Sequence, residues 1–162
     1  MNGEYIKKMD PEAFYERALP YLKEVLKKDF DLKKIAGMVQ TRIEVFPDIK
    51  DQIDFLAAVP EYDIAMYTHK KMKTNAETGL SALKMLLPVL GGVEDWNEEN
   101  IHSAIFAEIE KQGVKNGFML WPLRVALSGK ALTPGGGIEL AAILGRDETI
   151  RRTEAAITKL GG

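Results

Sequence analysis

Leu80, Leu83, Leu87 and Leu90 recur at spacings of three and four, between a helix-start signature and a helix stop. That spacing lays one apolar stripe along a helix of 3.6 residues per turn; a strand, whose side chains alternate between faces, would split it. Ahead of the stripe, Thr74-Asn75-Ala76-Glu77 has the form of a capping box, with Thr74 and Glu77 serving backbone donors reciprocally. Gly91-Gly92 ends the helix.

The same grammar repeats along the chain. Asp10-Pro11-Glu12 predicts a helix start, followed by Phe14, Ala18, Leu22, Val25 and Leu26 on one face. Pro20 falls inside that pattern and predicts a kink or a split. Asp31 caps a second helix carrying Ile35, Met38 and Val39, which runs out between Ile43 and Pro47. A short third helix fits Asp48 to Ala57, with Ile49, Ile53 and Leu56 inward. Asn97-Glu98-Glu99 opens a helix with apolar face Ile101, Ala104, Ile105 and Ile109, stopped by Gly113. The stretch Val114 to Leu127 is helix-compatible apart from Pro122. Thr133-Pro134 predicts a helix start running through Ile138, Ala142 and Ile143 to Gly145, and Asp147 caps the last helix, with Ile150, Ile157 and Leu160 inward.

No segment alternates apolar and polar residues, so no sheet is expected, and no internal repeat is evident. The irregular stretch Pro60 to Lys73 separates two helical parts. The expected architecture is an all-α, two-part helical bundle. It comprises a lead-in segment at 1–9, a first helical subdomain at 10–68, a basic connecting loop at 69–73 and a second subdomain at 74–162. With 162 residues, 46% of them hydrophobic and 28% charged, such a chain can bury a core. There is no cysteine, which excludes disulfides and thiolate chemistry and suits a reducing, cytoplasmic setting. No apolar run approaches the roughly 18 to 20 residues of a membrane span, and no apolar region follows Lys7 and Lys8 as in a secretory leader.

Catalytic groups are scarce. His69 and His102, the two histidines, lack metal-ligand spacing, and His102 reads as a helix-surface residue. The carboxylate pairs Glu98/Glu99, Asp51/Asp54 and Glu108/Glu110 fall on polar helix faces. Gly135-Gly136-Gly137 lacks a preceding strand and the lysine of a P-loop, and reads as a tight turn. A polyanion site is better supported. The net charge of −2 requires a local basic patch, and His69 to Lys73 supplies Lys70, Lys71 and Lys73. Lys115, Arg124 and Lys130 surround Trp121 and Phe118, a mixture of stacking surface and phosphate donors used on RNA. On pattern alone, a core Trp121 beside solubilising lysines fits as well.

Val114-Lys115-Asn116-Gly117, then Trp121-Pro122-Leu123-Arg124-Val125-Ala126-Leu127-Ser128-Gly129-Lys130 and Thr133-Pro134-Gly135 carry a resemblance. With Met1-Asn2-Gly3-Glu4-Tyr5-Ile6, Asp95-Trp96 and Ile143-Leu144-Gly145, they resemble the C-terminal, anticodon-binding part of bacterial glutamyl-tRNA synthetases over essentially the whole chain. The resemblance implies an all-helical fold of two subdomains that recognises and positions tRNA. Aminoacylation would need an N-terminal catalytic domain whose ATP-binding motifs do not occur here. No cofactor is therefore expected in this chain; ATP and magnesium belong to the catalytic part of a parent ligase.

Site roles follow from the resemblance residue by residue. Arg42 matches a position that reads the third anticodon base, where arginine favours C over G; a guanidinium offers only donors and suits the acceptor edge of cytosine. Relaxed members carry glutamine there, and Gln40, two positions away, is the other candidate for that position. Arg124, Thr133 and Pro134 match contacts to the first two anticodon bases, and Trp121 stands at a contact position where stacking can replace hydrogen bonding. Gly136 takes the place of a bulkier apolar contact. Lys70, Lys71, Lys73, Lys115 and Lys130 are candidate backbone contacts. The expected partner is glutamate tRNA, with glutamine tRNA as a second candidate and a monomeric state. The alternative is a helical protein-interaction domain that keeps the fold without RNA binding.

Overall fold

The computed structural model describes residues 3–27 and 30–162. Met1 and Asn2 of the lead-in segment lie outside them. Contacts divide the chain into two units, Met1–Ala58 and Val59–Gly162. Residues 59–73, which the sequence reading divides between the first subdomain and a connecting loop, therefore belong to the second unit. No strand forms among the described residues.

The first unit holds α1 (Gly3–Lys8), α2 (Pro11–Val25), α3 (Leu32–Val39) and α4 (Ile49–Ala57). Asp10 accepts from the Ala13 N–H and Asp31 from the Lys34 N–H, each satisfying a donor of a first turn. Of the two outcomes expected at Pro20, the split does not occur: α2 continues through it as one helix. Pro20 is exposed, which leaves the carbonyl of Glu16, deprived of its usual donor, at the water-facing side of the helix. α2 packs against α3 and α4, burying Phe14, Ala18, Leu22, Ile35, Val39, Ile49 and Ile53.

The second unit holds α5 (Ala76–Gly91), α6 (Glu98–Gln112), α7 (Asn116–Ser128), α8 (Gly137–Leu144) and α9 (Arg146–Lys159). α5 packs on α7 and α9 around Tyr67, Leu83, Val125, Ala126, Ala156 and Ile157. Tyr67 is fully buried, its hydroxyl 2.8 Å from that of Tyr62, and burial pushes that hydroxyl far above the ordinary tyrosine range. α6 buries Ile101, Ile105 and Ile109, each contributing about 1.5–3 kcal/mol.

Three helix starts differ from the sequence reading. α5 is capped by Asn75, with Thr78 closing the reciprocal box, because the Thr74 hydroxyl instead donates to the Tyr67 carbonyl. α8 begins at Gly137 rather than Thr133, because the Thr133 hydroxyl donates to the Gly135 carbonyl, within a turn of its own. α9 begins at Arg146, which places Asp147 inside the first turn instead of at the cap. Pro122 does not interrupt α7.

α9 also hides a charge that its apolar pattern does not announce. Arg152 is 2% exposed, donating to Glu148 at 2.7 Å and to the Leu127 carbonyl at 2.7 Å. It thereby secures the last turn of α7 to α9 with a paired charge.

Candidate nucleic-acid interface

α7 is where the second unit displays its candidate chemistry. Its last turn ends at Gly129, whose φ of +66 suits glycine, and a Cβ there would lie 3.1 Å from the Pro60 carbonyl oxygen. The chain leaves that point under local control. The Ser128 hydroxyl donates to the Arg124 carbonyl and receives the Lys130 N–H at 3.0 Å. The Gly136 N–H donates to Glu139 at 2.9 Å before α8 starts. Residues 130–136 are thus a shaped turn between two helices.

On the other side of α7, His69 and Thr74 pair as an isolated backbone bridge and close the turn that carries Lys70, Lys71 and Lys73. Lys73 takes a φ of +56, and the Met72 N–H donates to the His69 ring nitrogen Nδ1 at 3.2 Å. All three lysines are exposed. Gly117 lets Met72 come close: a Cβ there would sit 2.2 Å from the Met72 sulfur.

Between this turn, α6, α7 and the start of α8 lies a cleft of about 950 Å³. Trp121 and Arg124 both line it. The Trp121 indole N–H is anchored on the Met66 carbonyl at 3.1 Å, its ring meets His69 edge-on at 4.4 Å, and the Arg124 guanidinium carbon lies 5.9 Å from the ring centroid. Arg124 also donates to the Ala131 carbonyl at 3.2 Å, which ties it to the following turn. Chemically this is a held aromatic face beside a held donor fork, suited to a planar base and its acceptor edge.

The sequence-derived candidates separate accordingly. Trp121 and Arg124 come together. Lys70, Lys71 and Lys73 share a turn with the cleft-lining His69 and Met72, while Lys115 precedes Asn116 and Lys130 precedes Ala131, two further lining positions. Thr133 and Pro134 are buried and do not line the cleft; they support the turn from which Leu132 and Gly136 reach it. Phe118, grouped with Trp121 by sequence, does not line it either. The sequence reading missed Glu139, Leu132 and the pairing of His102 with Phe106. The i,i+4 spacing of His102 and Phe106 was a signal available in the sequence.

Arg42 belongs to the first unit, where it is exposed in the turn after α3, its N–H donating to the Val39 carbonyl at 2.8 Å. Gln40 is buried, and its side-chain amide donates to the carbonyls of Ile6 and Met9 at 3.0 and 2.8 Å. Its donors are spent on holding α1.

A family model described as an anticodon binding domain matches residues 13–157. The chain belongs to that family. The domain is 53% identical over 161 residues to the glutamate–tRNA ligase of Clostridium acetobutylicum, a match covering 99% of this chain and 33% of that protein. The glutamate–tRNA ligase of Lachnoclostridium phytofermentans is also 53% identical, over 160 residues. The domain therefore spans about one third of the length of the curated relatives it matches. A solved glutamate tRNA ligase from Elizabethkingia meningosepticum, in complex with its amino acid, superimposes with a TM-score of 0.82 at 26% identity over 98% of this chain and 31% of that one. The all-α fold expected from the helical periodicity is the fold observed.

No helix among the described residues is long and apolar enough to cross a membrane.

Proposed function

We propose that this chain is a tRNA-anticodon reader that positions glutamate tRNA for a ligase, whose ATP- and magnesium-dependent chemistry resides outside these 162 residues. The observation that carries the reading is the Trp121–Arg124 pair, hydrogen-bonded to the Met66 and Ala131 carbonyls on the wall of a cleft large enough for unstacked bases. The domain works as a monomer in the cytoplasm. Arg42 reads the third anticodon base. Its exposure supports this role, whereas Gln40 is committed to backbone carbonyls, and an arginine at that position favours the glutamate over the glutamine species.

Binding of the purified chain to glutamate, glutamine and unrelated tRNAs at two salt concentrations tests the reading. If Lys70, Lys71, Lys73, Lys115 and Lys130 all meet phosphates, affinity falls about 100-fold between 50 and 200 mM salt, from counterion release. Selectivity for glutamate tRNA is expected at both concentrations. Equal, salt-insensitive binding to all three would remove the proposal.

A further inference from the structure

A second pair of rings faces the same cleft. His102 and Phe106, one turn apart on α6, stack with centroids 4.2 Å apart and planes 18° from parallel, and both line the cavity. Neither ring is needed by the core: His102 is exposed and Phe106 half-buried. The wall they form carries charge of one sign. Glu98, one turn before His102, also lines it; of the other charged lining residues, Arg124 stands on α7 and Glu139 in α8. Phosphate is repelled from the α6 side and attracted to the turn that carries Lys70, Lys71 and Lys73. An RNA strand in this cleft therefore keeps its backbone towards that turn, which leaves its bases free to meet α6 as well as Trp121 and Arg124 on α7.

We infer that the His102–Phe106 stack is a second base platform, which receives an unstacked nucleobase while Trp121 and His69 receive another. The inference rests on the proposal above that the cleft takes anticodon-loop nucleotides. The physical basis is the π-face common to every base, which stacks on histidine as on other aromatic rings. The mutual stacking of His102 and Phe106 fixes their orientation in advance, so less side-chain freedom is lost on binding. Leu132, an 83% exposed leucine, lines the same cleft and adds apolar surface to it.

The test is a cycle between protein and RNA, with the 162-residue chain and a glutamate anticodon stem–loop carrying an abasic site at each anticodon position in turn. His102→Ala should weaken binding of the intact loop on the order of tenfold, the loss expected for one stacked base. It should cause no further loss on the loop abasic at one particular position, and His102→Phe should bind the intact loop like the native chain. Trp121→Ala, measured alongside, should silence a different position. The inference is overturned if His102→Ala binds the intact loop normally, or if its loss persists unchanged on every abasic loop. A native chain that does not distinguish any abasic loop from the intact one would remove the anticodon reading itself, and the platform with it.

Discussion

Two residues two positions apart do opposite work. Gln40 is 7% exposed with two carbonyl acceptors, and Arg42 stands in solvent on the turn that Gln40 helps to anchor. Gln40→Ala should cost about 1–3 kcal/mol in urea unfolding, because it removes the side-chain donors to the Ile6 and Met9 carbonyls, and should leave base preference unchanged. Arg42→Ala should do the reverse: stability within about 0.5 kcal/mol of the native chain, and discrimination at the third anticodon base reduced by about 1–3 kcal/mol. Equal loss of affinity for glutamate and glutamine tRNAs would reject that role for Arg42. Glu148 gives a pH signature. Arg151, and then Arg152, hold its carboxyl down to about 2 from an ordinary value of 4.5, against partial burial that pushes it up. A depressed carboxylate stabilises the fold fully above its unfolded value and loses that contribution as pH falls from 4.5 towards 2. The stability gap between the native chain and Glu148→Gln should therefore close across that window; a gap that is constant with pH would show that the ion pair contributes nothing.

At the scale of elements, α7 and the turns at its two ends decide how the interface is held. Gly129 combines a φ of +66 with a crowded Cβ position, so Gly129→Ala should destabilise the second unit by about 1–3 kcal/mol, measurable as a lower urea midpoint. Gly117→Ala acts differently. Its methyl meets the flexible end of Met72, so stability should change little while the 69–74 turn shifts and RNA affinity falls. Helices were the legible part of the sequence: α5 with Leu83 and Leu90 of its stripe buried, the Asn97 cap and the Gly113 stop all follow from spacing and side-chain chemistry. Leu80 and Leu87 of that stripe are only half-buried, however, and Leu86, outside the expected stripe, is buried. What was not legible were choices made by tertiary partners. Thr74 left its cap for the Tyr67 carbonyl, Thr133 folded into its own turn, and Arg152 became buried because Glu148 and Leu127 awaited it.

For the molecule as a whole, the interface shows what pattern reading can and cannot reach. Trp121 and Arg124 stood together in the sequence as a stacking and donor pair, because both lie on one helix. The opposite wall comes from α6, and the floor from residues 66–72, parts brought together only by packing. No local signal marks such a meeting. The charge balance fits this picture: a chain of net charge −2 can bind a polyanion only if its cations are concentrated, as in the turn carrying Lys70, Lys71 and Lys73. The measurement that tests the central claim most directly is a four-way binding cycle. It compares the native chain and Arg124→Ala on glutamate tRNA and on the same tRNA with its first two anticodon bases replaced. The account predicts that Arg124→Ala costs about 1–3 kcal/mol on the cognate anticodon and almost nothing on the replaced one. An equal loss on both would mean that Arg124 contacts only the backbone and that this cleft does not read the anticodon.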